Sequence, residues 1–199
     1  MIRKTVRSLA VLMLVLLLGV TASAKSATMV KSERELTPKP DQALIVFMRA
    51  STMGFAISSS LFDVSTSETK FIGVFKSKVK IGYDVAPGEH TLMVVSESAD
   101  FLKATVEAGK TYYVLITPRM GFGKARFTLQ PLRQSDLAGP DFPKWDSATD
   151  LVENTPETEE WARSNAPDIE AKRARWYPAW SALPADKLDE MTLRPEDGR

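Results

Sequence analysis

The strongest constraint on this chain is a strand-type pattern of apolar residues between Ala43 and Leu132. In the segment 79–85 every second residue is apolar, so these side chains share one face of an extended strand. The segments 43–48 and 111–117 are rich in aliphatic, β-branched and aromatic residues, which favour buried strands. The block is therefore expected to form β-structure around a hydrophobic core.

Turn residues divide this block into about eight short strands, and no helical periodicity lies inside it. Pro87-Gly88 and Gly109 mark two of the turns, because proline presets φ and glycine adopts a left-handed conformation. The predicted strands cover residues 43–48, 55–57 with 61–64, 70–75, 79–85, 90–95, 102–106, 111–117 and 125–132. The pattern predicts a mainly β domain over residues 41–133, as an antiparallel β-sandwich or an open barrel, followed by a C-terminal α-helical extension.

The first 24 residues have the pattern of a secretory signal peptide. Arg3, Lys4 and Arg7 precede an apolar run of 12 residues from Leu9 to Val20, and small residues follow up to Ala24. The run is shorter than the roughly 20 residues of a spanning helix. Cleavage after Ala24 and export to the periplasm are therefore expected, with an uncleaved anchor as the alternative. Residues 25–40 are polar, contain two prolines and are predicted to be a linker.

Composition excludes several classes of function. The 199 residues contain 26 Lys and Arg against 25 Asp and Glu, so no strong basic field is available to attract nucleic acid. The absence of cysteine excludes disulfides, thiolate metal sites and a lipid-modified cysteine, and a single histidine excludes a multi-histidine metal site. We expect no cofactor and no metal.

The segment 134–199 is predicted to be a helical, acidic extension that contains all four tryptophans. Thr155 is a candidate N-cap with Pro156 at the first helical position. The segment 165–167 is expected to end this helix and to begin a second one, which Pro178 should end or kink. A weak helix is predicted over 185–193, and residues 194–199 are expected to fray.

Charge suggests that this extension packs against the strands, since it carries seven more acids than bases while residues 25–133 carry five more bases than acids. Trp161, Trp176 and Trp180 are the candidate anchors of this contact, and an independent appendage is the alternative. A basic and aromatic cluster in the same segment is a candidate contact for a phospholipid headgroup, an anionic glycan or an envelope protein. The predicted partner-contact residues are Trp161, Lys172, Arg173, Arg175, Trp176, Tyr177 and Trp180.

Three segments in order resemble a known family of bacterial envelope domains. These are the opening strand 40–49, the Pro-Gly turn with the strand that follows it over 86–92, and the Gly-Lys-Thr-Tyr-Tyr strand over 108–114. Together they resemble domain-of-unknown-function family 2846 (DUF2846) over residues 40–133. The resemblance implies a secreted or periplasmic β-sandwich, often anchored as a lipoprotein, although this chain has no cysteine to acylate. It implies no catalytic residues.

Catalytic motifs are weak, and no catalytic residue is predicted. His90 is the one side chain with a near-neutral unperturbed pKa, but it follows a tight turn and is expected to be structural. No nucleophile elbow is present, and the segment 121–124 has neither the spacing nor the following helix of a phosphate-binding loop. Candidate carboxylates for glycoside hydrolysis are expected to face solvent; these are Asp63, Asp84, Asp100 and Glu107.

These features predict an exported, non-enzymatic accessory or binding module of the bacterial cell envelope, with a partner held by the extension or by one sheet face. Two alternatives remain. One is an envelope hydrolase that acts on glycan through an Asp/Glu pair. The other is a structural protein that is tethered to the membrane by an uncleaved signal, which is also the single membrane contact that the sequence predicts.

Overall fold

A computed structural model describes residues 28–119 and 126–199 of the chain. The predicted signal peptide and the segment 120–125 of the glycine-containing loop lie outside the described residues. The described residues form eleven strands, four α-helices and one 3-10 turn, so the predicted mainly β class is confirmed. Among these helices none combines the length and the apolar character that a membrane span requires.

The first sheet has six strands and is built around β2. Its strands are β1 (Val30–Lys31), β2 (Ala43–Arg49), β5 (Val79–Val85), β8 (Thr111–Arg119), β9 (Arg126–Pro131) and β10 (Asp150–Glu153), in the order β1-β10-β5-β2-β8-β9. All seven residues of β2 are buried. This explains the continuous apolar run there, because a central strand that is covered on both faces does not alternate.

The second sheet has five strands in the order β11-β7-β6-β3-β4. They are β3 (Ser59–Asp63), β4 (Lys70–Phe75), β6 (Gly88–Val95), β7 (Ala99–Val106) and β11 (Thr192–Leu193). Both sheets contribute to one buried cluster, with Phe47 and Val114 from the first sheet beside Leu61, Leu92 and Leu102 from the second.

The prediction of purely antiparallel pairing is wrong for three strand pairs. β2 and β8 are parallel, with Val46 opposite Tyr113, and β10–β5 and β11–β7 are also parallel. From β2 the chain passes through β3 and β4 of the second sheet to β5, which is antiparallel to β2. It then passes through β6 and β7 to β8, which runs in the direction of β2. Alternation within each strand does not reveal this order, because it reports burial and not the neighbouring strand.

The helices follow the strands. They are α1 (Gln134–Leu137), α2 (Phe142–Ser147), α3 (Pro156–Ser181) and α4 (Ala185–Glu190), with a 3-10 turn at Pro195–Asp197. The Thr155 side chain accepts a hydrogen bond from the backbone N–H of Thr158, so the predicted N-cap with Pro156 behind it is confirmed. The predicted end of this helix at 165–167 is wrong, because α3 continues through Pro167 and Pro178. Both prolines lie on its exposed side, where water reaches the carbonyls that they leave unpaired.

Two segments that were predicted to be irregular are ordered parts of the fold. Within the predicted linker, β1 pairs with β10, and Leu36 packs against a second buried cluster beside Leu44. At the C-terminus, Asp197 is 3% exposed and the backbone of Arg199 exchanges hydrogen bonds with Thr111. The sequence signal was weak at both places, because few or no apolar side chains are buried there and the backbone hydrogen-bond partners belong to distant strands.

Candidate functional site

The predicted contact residues lie along α3, which packs on the second sheet. Trp180 is 5% exposed and its ring centroid lies 5.3 Å from that of Phe101 on β7. Tyr177 meets the same Phe101 ring edge-on at 5.3 Å, and Trp161 lies 6.1 Å from Phe71. Their apolar area is used largely inside the molecule. This confirms the prediction that the extension packs against the strands through its tryptophans.

Lys172 and Arg173 also hold the protein to itself. The Lys172 ammonium donates to the backbone oxygen of Ser96 and to Asp168, both at 2.8 Å. The Arg173 guanidinium donates to the backbone oxygens of Val64 and Thr66 and to the Thr69 hydroxyl at 3.0–3.1 Å. These two cations therefore fasten the loops of the second sheet to α3, and most of their donors are occupied.

Trp176 and Arg175 lie beside a groove that the sequence did not predict. This arginine groove has a volume of about 260 Å³ and lies where α3 passes the ends of β8 and β9. The Cζ atom of Arg126 is 6.0 Å from the centroid of the Trp176 ring, and that of Arg175 is 5.3 Å from it. Both distances fall within the range of cation–π contacts. Arg119 and Arg126 both line the groove.

The arginines of the groove lack acidic partners. Arg119 donates to the Thr128 hydroxyl at 3.1 Å, and none of Arg119, Arg126 and Arg175 forms an ion pair with a carboxylate in the part of the chain that the structure describes. Asp100 also lines the groove, but its Oδ1 accepts the backbone N–H of Phe101 at 3.0 Å. Arg119, Arg126 and Asp100 are the charged residues that line the groove, so its described lining keeps an excess of positive charge.

Strand register places two of these arginines directly opposite each other. β8 and β9 form an antiparallel pair in which Arg119 faces Arg126. Like charges at opposed positions destabilise a strand pair, so this arrangement costs stability unless an anion lies between them. Sequence analysis missed both residues because their pairing depends on the register of the hairpin. The signal available was an arginine on each side of the glycine-containing loop.

A second cavity of about 280 Å³ lies between α3 and the edge of β3. Apolar side chains form much of its wall, among them Val95, Trp161 and Ile169. Lys172 and Asp168, which form an ion pair, also line the cavity. The Lys172 ammonium and the Asn165 amide donate to backbone oxygens, the buried Ser59 hydroxyl has no hydrogen-bond partner within the described residues, and most of the exposed wall is apolar. We therefore regard it as packing space beneath the helix.

The structure brings a serine, a histidine and an aspartate together near β6. His90 Nδ1 lies 3.3 Å from the Ser65 hydroxyl and 3.4 Å from Asp63, and Tyr83 donates to Asp63 at 2.9 Å. A catalytic triad would require serine to donate to histidine. Here the Ser65 hydroxyl instead donates to Asp63, and His90 Nε2 lies 2.9 Å from the backbone oxygen of Ala86.

Electrostatics favour the charged forms of His90 and Asp63 in this cluster. The hydrogen bond to Asp63 raises the pKa of His90, with the Ala86 carbonyl acting in the same direction against burial. Burial alone would raise the pKa of Asp63, but hydrogen bonds from His90, Ser65 and Tyr83 hold that pKa well below its usual range. Burial and the adjacent Asp63 raise the pKa of Tyr83. Both imidazole nitrogens face acceptors, so the ring has no free nitrogen to act as a base.

The other acids considered for hydrolysis are engaged separately. Asp84 pairs with Arg34 at 3.1 Å, and Glu107 pairs with Lys110 at 2.6 Å. Asp100 accepts its neighbour's N–H, and Asp63 belongs to the histidine cluster. Each of the four acids thus has its own local partners. Among the described residues no group of three or more His, Cys, Asp or Glu side chains is placed to hold a metal ion.

Comparison with models of known protein families finds no match to this chain, and comparison with curated proteins finds no significantly similar sequence. The resemblance of residues 40–133 to DUF2846 therefore stays a prediction.

Proposed function

We propose that this protein is an exported, non-enzymatic accessory or binding module of the bacterial cell envelope, and that the arginine groove holds an anionic group of its partner. The observation that carries this proposal is the opposed pair of Arg119 and Arg126, with Arg175 on α3 near them; among the described residues none of the three forms an ion pair with a carboxylate, and Asp100 is the one acid that lines the groove. An anion in the groove would relieve the repulsion between the two opposed guanidinium groups.

The chemistry of the groove favours an anionic glycan as the partner. Arginine donates paired hydrogen bonds to carboxylate, sulfate or phosphate groups, and the Trp176 ring offers an apolar face beside them. Trp176 is half-buried, so part of its indole ring is available to a ligand. An acidic segment of an envelope protein would satisfy the arginines but would make less use of this aromatic face.

A role without catalysis agrees with the state of the titratable groups. The ring nitrogens of His90 both face acceptors, and the acids considered for hydrolysis each have local partners. Glycoside hydrolysis requires two carboxylates on opposite sides of a bound sugar. Each of the four candidate acids instead interacts with its own local partners.

We further propose that the two sheets form a sandwich related to the DUF2846 domains. The support is the single buried cluster to which both sheets contribute, together with the three matching segments in residues 40–133. Export is supported by the basic and apolar pattern of residues 1–24. N-terminal sequencing of the protein recovered from a periplasmic extract is expected to begin at Lys25, whereas a chain that begins at Met1 would indicate a membrane tether.

Binding to heparin, as a model anionic glycan, tests the groove. We expect the protein to bind heparin and not neutral dextran, and we expect Arg119→Gln and Arg126→Gln each to weaken binding about tenfold, the size of one charge-assisted contact. Arg163→Gln is the matched control, because Arg163 lies on the exposed side of α3 and pairs with Glu160. Equal loss in all three variants would indicate nonspecific attraction and would contradict the proposal.

A further inference from the structure

Residues 50–58, here called the apolar loop, expose large hydrophobic side chains. Phe55 is 76% exposed, Met53 is 54% exposed and Ile57 is 39% exposed. The loop contains no charged residue. Three such side chains in one short connection form an apolar surface that the described residues leave uncovered, and such surfaces in soluble proteins mark contact sites.

A buried arginine holds this loop in place. Arg49 at the end of β2 is fully buried, and its guanidinium donates to the backbone oxygens of Gly54, Ile57 and Phe75 at 2.7–2.9 Å. The guanidinium also lies over the Phe127 ring at 4.4 Å, and among the described residues it has no carboxylate partner. Burial lowers the pKa of Arg49, so keeping this cation inside the protein costs free energy. The three hydrogen bonds from Arg49 offset this cost and fix the backbone of the loop, whose large apolar side chains are exposed.

Basic residues surround the apolar loop, because several chain segments end on the same side of the molecule. Lys78 donates its backbone N–H to the Arg49 oxygen at 2.8 Å, which places the β4–β5 turn with Lys76 and Lys78 beside the loop. β8 runs parallel to β2, so Arg119 and its partner Arg126 lie beyond the same end. We call Lys76, Lys78, Arg119 and Arg126 the basic rim.

The rim carries positive charge that the protein leaves largely uncompensated. Neither Lys76 nor Lys78 has a carboxylate partner in the described ranges, and the same holds for Arg119 and Arg126. Three acids also lie on this side. Glu97 shares a cavity lining with Ile57, Asp100 shares one with Arg119 and Arg126, and Asp150 donates its backbone N–H to the Lys78 oxygen. The four basic side chains of the rim exceed these three acids, and the excess of positive charge opposes contact with a second copy of the same surface, since two basic rims would then face each other.

We propose that this end of the molecule docks on the surface of an anionic phospholipid membrane. Phe55, Met53 and Ile57 enter the boundary between headgroups and acyl chains, while the basic rim contacts lipid phosphates. Apolar burial and attraction to anionic headgroups add together in interfacial binding. The proposal rests on the proposed function in one respect, because Arg119 and Arg126 belong both to the rim and to the arginine groove.

Vesicle sedimentation tests this docking, using protein purified from cells that produce the full chain. The vesicles contain either phosphatidylglycerol and phosphatidylethanolamine or phosphatidylcholine alone. We expect binding to the anionic vesicles that weakens with salt, and a decrease of about tenfold for Phe55→Ser, the equivalent of losing one partly buried aromatic side chain. Val30→Ser is the matched control, because Val30 is 47% exposed on β1, away from the loop. All variants share one N-terminus, so their differences report on the loop.

The lysines of the rim separate this proposal from the proposed function, since Lys76 and Lys78 lie outside the arginine groove. Lys76→Gln and Lys78→Gln are expected to weaken vesicle binding about fivefold each and to leave heparin binding unchanged. Equal vesicle binding by Phe55→Ser, Val30→Ser and the unmodified protein would overturn the membrane proposal. If the unmodified protein binds heparin but not anionic vesicles, the membrane proposal is overturned and the proposed function stands. If it binds anionic vesicles but not heparin, only the proposed function is overturned.

Discussion

The interaction between Asp63 and His90 shows how one buried carboxylate organises several neighbours. Asp63 accepts hydrogen bonds from Tyr83, from the backbone of Ser65 and from the Ser65 hydroxyl, and it faces His90. Asp63→Asn removes the charge that these donors stabilise, so we expect the free energy of unfolding to fall by about 2–3 kcal/mol. Urea denaturation measures this change. Asp84→Asn is the control, because Asp84 pairs with Arg34 nearer the surface. This substitution should lower the free energy of unfolding by less than about 1 kcal/mol. Equal losses in the two variants would contradict the special role of Asp63.

The same ion pair predicts how stability depends on pH. The pKa of His90 is raised in the folded protein, so its contribution is fully present below the unfolded value of about 6.5 and is lost as pH rises through the folded pKa. The pKa of Asp63 is lowered, so its contribution is lost only as pH falls below about 3.9 through the folded pKa. The stability difference between the unmodified protein and His90→Gln should therefore be largest between about pH 4 and 6.5 and should shrink at higher pH. A difference that stays constant up to pH 9 would disagree with a charged His90.

At the scale of a single element, α3 is anchored mainly by Trp180. Its ring packs on Phe101 and Tyr177, while its indole N–H has no hydrogen-bond partner within the described residues. Trp180→Phe keeps most of the packing and loses no hydrogen bond, so we expect a cost of about 1–2 kcal/mol, against about 3–5 kcal/mol for Trp180→Ala. Thermal unfolding distinguishes the two variants. A Phe variant as unstable as the Ala variant would indicate that the indole N–H makes a bond essential to the fold.

Strands and helices differ in how far their sequences predict them. Most of the central strands were predicted closely, because each carries its own apolar alternation or run. The prediction of a strand at residues 55–57 is wrong, since they lie in the turn that precedes β3. The continuity of α3 was missed, since Pro167 is a local signal for a break while Ile169 and Trp180 stabilise the helix through distant contacts. The contact residues on α3 were predicted by composition, but Arg119 and Arg126 become a pair only through strand register. Local patterns thus predict elements, and pairing decides which side chains meet.

For the molecule as a whole, the chain after the strands completes both sheets. β10 and β1 extend the edge of the first sheet next to β5, and β11 extends the second sheet next to β7. Leu193 in β11 is fully buried in the cluster that both sheets share. An appendage that was predicted to lie outside the β domain therefore supplies two of its strands. Its short strands of two and four residues carry too little periodicity for sequence analysis to detect.

This architecture predicts that the described parts of the chain unfold as one cooperative unit. All four tryptophans follow residue 133, so their fluorescence reports on the extension, while the infrared amide I band of β-structure reports chiefly on the strands. Removal of residues 192–199 deletes Leu193, the ion pair of Asp197 with Arg133 and the backbone bonds between Arg199 and Thr111. We expect a loss of about 3–5 kcal/mol, with both signals shifting together to lower urea. Arg163→Gln, at an exposed ion pair, should leave both transitions in place. A fluorescence transition that preceded the strand signal in the intact protein would show that the extension is a separate folding unit.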